Sequence, residues 1–171
     1  MDITEEILFQ HHEQRRQFAL LDEIPRDDTE TLGAVWRRLA VLLEVHAEAE
    51  ERYFYPEVLR LGHGAPGTDD GPEPETEDAV KDHNEIRDGI RKADAHPVGS
   101  DDWWDAVRET REANDEHMAE EEREDLADFR LHADLRTRHD IAVKFIGYEA
   151  RHWAGIQPVD KDPEEYVEQH S

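Results

Sequence analysis

From residue 32 to residue 53 the chain keeps one spacing. Leu32, Val35, Trp36, Leu39, Leu42, Leu43, His46, Glu50 and Tyr53 recur at intervals of three and four. That period commits the segment to an α-helix with one apolar side, and it places His46 and Glu50 on that side. A histidine and a carboxylate four residues apart share one helical face. Burying them is costly unless something satisfies them, and a bound metal would.

The same period recurs elsewhere, with almost no strand signal. A first helix reads from about 3 to 24, before Pro25. The second, capped by Thr29 or Thr31, reads on to about Gly62, where GHGAPGTDDGPEPE (62–75) forms a long loop. A third runs from about 76 to 95, with Val80, His83, Ile86 and Ile90 on one side. After HPVGSDD, with Ser100 or Asp101 as cap, a fourth spans about 102 to 128. Residues 133–155 read as a fifth helix, carrying Leu135, Ile141, Ala142, Phe145, Ile146, Tyr148 and Trp153. GIQPVDKDPEEYVEQHS reads as a polar tail that packs along the outside. Four amphipathic helices joined by turns predict an all-α fold, an up-down-up-down four-helix bundle with an additional C-terminal helix and polar tail. At 171 residues this is one domain by size. The bundle occupies 1–130, and 131–171 packs on it.

Composition removes several function classes. Forty-five acidic residues against 20 Lys and Arg give a net charge of −25, which repels nucleic acid and anionic membranes. Such a surface suits either high salt or strong solvation. The absence of cysteine excludes disulfides, thiolate zinc sites, iron–sulfur clusters and cysteine nucleophiles. MDITEEILFQ lacks the apolar core of a signal peptide, and no run of 18 apolar residues exists. These features lead to the expectation of a cytoplasmic protein. Glycine-rich phosphate loops are absent as well.

Polar residues on apolar faces carry the functional reading. His11 lies in line with Ile7, Phe18 and Leu21, while His12 falls about 100° away. His46 and Glu50, His83, and His117 with Glu121 occupy the equivalent faces of the next three helices. The separation is 72 residues from His11 to His83, and 71 both from His46 to His117 and from Glu50 to Glu121. Successive histidines lie 34 to 37 residues apart, one helix plus one turn, so antiparallel neighbours can return each to a similar height. For the first pair the heights agree, about 20 Å against about 24 Å at 1.5 Å per residue. The middle pair agrees less well. With 11 histidines and this many glutamates, about 1.6 HxxxE pairs arise by chance and two are found, so the motif alone carries nothing. The weight lies in the conjunction of faces and offsets. Neutral imidazoles and carboxylates suit iron, zinc or manganese rather than calcium. Two carboxylates from different helices can bridge two ions with about two histidines each, leaving coordination positions open. Glu48, Glu51, Glu120, Glu122 and Glu124 read as a solvated face, with Glu120 the one rival to Glu121.

At these residues the chain resembles the haemerythrin-like, or HHE cation-binding, family. QHHEQRRQF, HAEAEERYFYP, KDHNEIRDGI and HMAEEERED follow its order and spacing over roughly residues 3 to 128. The resemblance implies a four-helix bundle around two iron ions (Fe2+/Fe3+), bridged by carboxylates and an oxo or hydroxo group. It implies His11, His46, His83 and His117 as terminal ligands and Glu50 and Glu121 as bridges. Arg15 and Phe18 fit that family's pattern with His11, not His12, as the ligand. The oxygen-carrying members have a second histidine one turn after the one on the third helix, and here that position is Arg87. They also have an aspartate one residue beyond Glu121. These departures tell against simple reversible oxygen carriage and make redox turnover as good an expectation as storage. His152 and Glu149, an ExxH on the fifth helix, are candidates to fill the vacancy. Ferritin-like di-iron proteins need two ExxH motifs, and only this one is present.

The leading expectation is a di-iron protein that binds or reacts with dioxygen, peroxide or nitric oxide. As an enzyme it would be a di-iron oxidoreductase, such as one that decomposes peroxide. The alternative is an iron or redox sensor, or an iron-handling module, acting through a protein partner.

Overall fold

The computed structural model describes residues 1–65, 67 and 71–171, so part of the 62–75 loop lies outside the described residues. Among the described residues there are eight helices and no strand. They are α1 (Ile3–Glu23), α2 (Thr29–Tyr53), α3 (Tyr55–Leu61), α4 (Glu73–Asp94), α5 (Asp101–Arg123), α6 (Asp125–His132), α7 (Leu135–Arg151) and α8 (Pro163–His170).

Side-chain caps set the helix starts. Asp2, Asp28, Ser100, Asp134 and Asp162 each accept from a backbone N–H two or three residues on. Asp28, not Thr29 or Thr31, therefore caps the second helix. Ser100 caps α5.

The second and fourth helices expected from sequence are each broken once. Phe54 separates α2 from α3, and Glu124 separates α5 from α6. The first break has a cause: Pro56 has no N–H to offer Arg52, and its ring crowds that carbonyl. Phe54 instead accepts from the backbone N–H of Glu57 and Val58, starting a new helix. No proline accompanies the second break.

α1, α2, α4 and α5 form the bundle, and their apolar residues fall into two clusters. One contains Ile3 and Ile7 of α1, Val45 and Ala49 of α2, Val80 of α4, and Phe129 of α6. The other contains Phe18 and Leu21, Leu32 to Leu43, Ile86 and Ile90, and Trp103 to Val107. Along the chain the four helices run from the first to the second, back, forward and back again. That order is the up-down-up-down topology, and the residues between the clusters form a polar layer at one level. α4 and α5 pack closest. A Cβ on Gly89 would stand 2.3 Å from Thr110 Oγ1 and 3.1 Å from its Cα, so only glycine permits this approach.

The remaining helices close the sides. α7 buries Ile141, Ala142, Phe145 and Tyr148 in the first cluster. It ends at Arg151, before the expected 155, and leaves Leu135 and Trp153 exposed. The polar tail contains α8, whose Tyr166 and Val167 are buried. Its Asp-Pro-Glu-Glu start is a legible helix signal, set in a segment otherwise too polar and short to show a period. Among the described residues no helix is long and apolar enough to cross a membrane.

Candidate metal centre

All six residues expected at the centre are buried in the polar layer: His11, His46, Glu50, His83, His117 and Glu121. His46 Nε2 lies 2.9 Å from Glu50 Oε1, and His83 Nε2 lies 3.2 Å from Glu50 Oε2. His11 Nε2 is 3.2 Å from Glu121 Oε2, and the Nε2 atoms of His83 and His117 are 3.2 Å apart. Two groups of potential ligand atoms result, each within 4.8 Å: His11, His46 and Glu50, and Glu50, His83 and His117. Glu50 belongs to both.

The outer nitrogen of three of the four rings is already engaged. His11 Nδ1 is 3.0 Å from Glu122 Oε1, which Arg15 also holds at 2.8 Å. His46 Nδ1 is 2.8 Å from Gln10 Oε1, and the Gln10 amide donates in turn to Glu149 Oε2 at 2.6 Å. His83 Nδ1 is 2.9 Å from Glu51 Oε1. Asp82 lies 3.7 Å from His117 Nδ1. Because carboxylates and an amide oxygen only accept here, the bonds of His11, His46 and His83 place a proton on Nδ1 and turn Nε2 inward.

Lone pairs then meet lone pairs. Among the described residues no hydrogen-bond partner exists for His11 Nε2, His46 Nε2, both oxygens of Glu50, or Glu121 Oε2. Each such buried group costs about 1–3 kcal/mol if left alone. Without metal, protons relieve part of this. Burial pulls the His11 pKa down, but the adjacent carboxylates of Glu121 and Glu122 outweigh it and raise it to about 9. Burial, with the Glu121 charge beside it, pushes Glu50 up to about 7. His46 is held neutral at about 3 by burial and by His11. Burial opposes charge on His117 too, yet Asp82, Glu121 and Glu50 raise its pKa. A divalent cation in each group would satisfy the same atoms at once, and this donor set fits iron, manganese or zinc.

Several acids differ from their expected place. Glu51 is buried: it accepts from Arg87 Nη2 at 2.9 Å on both oxygens and contacts Lys161 Nζ. Burial alone would raise its pKa, but His83 and Arg87 hold it at about 2. Glu48 is also buried, bonded to Arg52 and Lys161, and Glu122 is half-buried on His11. These three were expected on a solvated face. Glu48 and Glu51 are inside because α8 and the segment before it cover that side, and Glu122 because it packs against His11 and Arg15 of α1. Glu120 is the solvated one, its side chain 43% exposed near Arg123, so Glu121 alone turns inward.

Of the two further candidates, Glu149 comes near the centre only through Gln10, and His152 does not. The His152 ring lies on Tyr148, with Nδ1 bonded to the Tyr148 carbonyl. Arg87, where the carriers have histidine, is committed to Glu51. Sequence reasoning missed Gln10, Glu51, Tyr55 and Lys161. Tyr55 donates to Glu121 Oε1 at 3.0 Å, and burial keeps its phenol protonated by pushing the pKa well up. Gln10, next to His11, and Glu51, next to Glu50, were detectable only as near neighbours of ligands.

A bundle with two buried histidine and glutamate groups sharing one carboxylate is a helical protein able to hold metal. The chain belongs to the hemerythrin HHE cation-binding domain family, whose model matches residues 2–128. Comparison with curated proteins found no match, and comparison with solved structures found none. α7 and α8 follow the matched region.

Proposed function

We propose that the chain is a non-haem di-iron protein that binds or reacts with small oxidants: dioxygen, peroxide or nitric oxide. The sharing of Glu50 between two ligand groups carries this reading. His11 and His46 would hold one ion, His83 and His117 the other, with Glu50 between them and Glu121 as a second bridge. Bound iron would supply open coordination positions and electrons for exchange with the oxidant. The protein's part is positional and electrostatic. The Nδ1 bonds fix the rings of His11, His46 and His83, Tyr55 fixes Glu121, and the two apolar clusters keep bulk water out. Arg87, tied to Glu51, leaves the second group with only two imidazoles, which favours turnover of peroxide over reversible carriage.

Iron analysis with a visible spectrum tests the reading. About two irons per chain are expected, and His46→Ala and His117→Ala should each lose bound iron. Unchanged iron in both variants would reject the assignment.

A second reading is a sensor that acts through a protein partner. It draws on the ties from both ligand groups to the C-terminal region: His46 through Gln10 to Glu149, and His83 through Glu51 to Lys161. Catalytic consumption of hydrogen peroxide by iron-loaded protein supports the enzyme. Stoichiometric binding with altered partner affinity supports the sensor.

A further inference from the structure

A narrow cleft between α4 and the α5–α6 junction opens onto the metal centre. Its walls carry Glu75, Asp78, Asp82, Glu120, Glu124 and Asp125, and the buried ligands His117 and Glu121 also line it. Its open volume is about 10 Å³, room for about one water-sized particle at a time. Among the described residues lining it there is no lysine or arginine.

The other grooves near the centre differ. Beside Glu149, Arg38 faces Glu13 at 3.4 Å. Under α8, Arg52 and Lys161 neutralise Glu48 and Glu51. At the α4–α5 cleft Arg123, outside the lining, pairs with Glu124 at 2.6 Å and lies 4.0 Å from Glu120, whereas Asp78 and Asp125 have no ion pair among the described residues.

Asp125 adds an independent observation. It is 5% exposed, lines the cleft, and its Oδ1 has no hydrogen-bond partner among the described residues. A buried carboxylate oxygen left alone is costly, and a passing cation is the partner that would relieve it. Burial first, and then the charges of Glu121 and Glu75, push its pKa well above the usual carboxylate range.

We infer that this cleft is the portal through which divalent cations reach the centre, with Asp78 at its rim and Asp125 as a transient carboxylate ligand on the way. The inference rests on the metal-binding reading above. Carboxylates lining a low-dielectric cleft focus the field and raise the local cation concentration, which accelerates uptake by about 10- to 1,000-fold. Asp82, beside His117, is the last acid before the ligands.

Stopped-flow mixing of metal-free, full-length protein with Co2+ at low salt tests this, read by the visible bands of Co2+ bound to imidazole and carboxylate. Asp78→Lys, at an exposed position, should slow uptake about tenfold without changing the final amount bound. Asp125→Asn should slow it as well. Glu164→Lys, the same charge change on the surface of α8, should leave the rate within about twofold. The portal is overturned if Asp78→Lys and Asp125→Asn load at the unsubstituted rate, or if Glu164→Lys slows loading equally. Failure of the unsubstituted protein to take up any Co2+ would overturn the centre and the portal together.

Discussion

At the scale of single residues, the centre is organised by which nitrogen of each imidazole is already occupied. An Nδ1 bonded to Glu122, Gln10 or Glu51 leaves one orientation for the ring and one lone pair for a metal. The same bonds make metal and proton competitors. In the metal-free protein His11 has a pKa of about 9, above its ordinary 6.5. Its protonated form therefore stabilises the metal-free fold fully below about pH 6.5, and that contribution is lost as pH rises through about 9. A metal must displace this proton. Apparent metal affinity should therefore rise with pH and level off above about 9, with proton release on loading at pH 8. Titration in a weak buffer containing a pH indicator measures both, and loading at pH 8 without proton release would contradict the assignment of His11.

At the scale of elements, the helix breaks and close approaches decide whether four histidines share a level. Phe54 follows Glu50 by four residues and Glu124 follows Glu121 by three, so each carboxylate-bearing helix ends within about one turn of its ligand. With α2 ending at Tyr53, about 10 Å of helix follows His46, while about 15 Å of α4 precedes His83. The mismatch of the middle pair shrinks to about 5 Å once the second helix is not read through to Gly62. The α4–α5 contact at Gly89 sets the spacing of His83 from His117. Gly89→Ala would gain about 1 kcal/mol of helix propensity. It would also force a methyl onto Thr110, whose hydroxyl is tied to the Ala106 carbonyl at 2.8 Å. Overpacking of this kind costs about 1–3 kcal/mol, and the collision with Thr110 Cα puts it at the upper end. A net loss of about 1–2 kcal/mol is expected, seen as a lower urea midpoint.

At the scale of the whole molecule, the C-terminal region and the net charge bear on the centre from outside the matched domain. The Asn84 side chain pairs with both backbone groups of Lys161, Lys161 Nζ reaches Glu48 and Glu51, and the Tyr166 hydroxyl donates to the Glu51 carbonyl. This strap holds Glu51, which holds His83. Lys161→Ala should weaken the ion on the His83–His117 side by about 10- to 100-fold, leaving the other ion unchanged, in a chelator competition. Equal weakening of both would point to general loosening instead. An excess of 25 negative charges also repels itself. Raising salt from about 0.1 M to about 1 M shortens the screening length from about 10 Å to about 3 Å. The melting temperature of the metal-free protein should therefore rise over that range, and a fall would mean that attractive ion pairs dominate.

Sequence by itself determined the four helices of the bundle, their order and the six inward-facing residues, though not the breaks at Phe54 and Glu124 or α8, because helical period is a local property and His11, His46, Glu50, His83, His117 and Glu121 fall on the apolar period. It did not determine what surrounds them. Glu50 and Glu51 are adjacent in the chain, and nothing local says that one lies between two histidine pairs while the other meets Arg87 and Lys161. Whether an off-face glutamate is solvated depends on what packs over it. That was decided by α8 and the segment before it, through contacts more than 100 residues away in the chain. Gln10 is likewise an ordinary helix residue until Glu149, 139 residues later, takes its amide. Periodicity chooses a face, but only tertiary structure chooses the partner, because the free energy of a buried polar group is set by atoms that the chain brings near only when it folds.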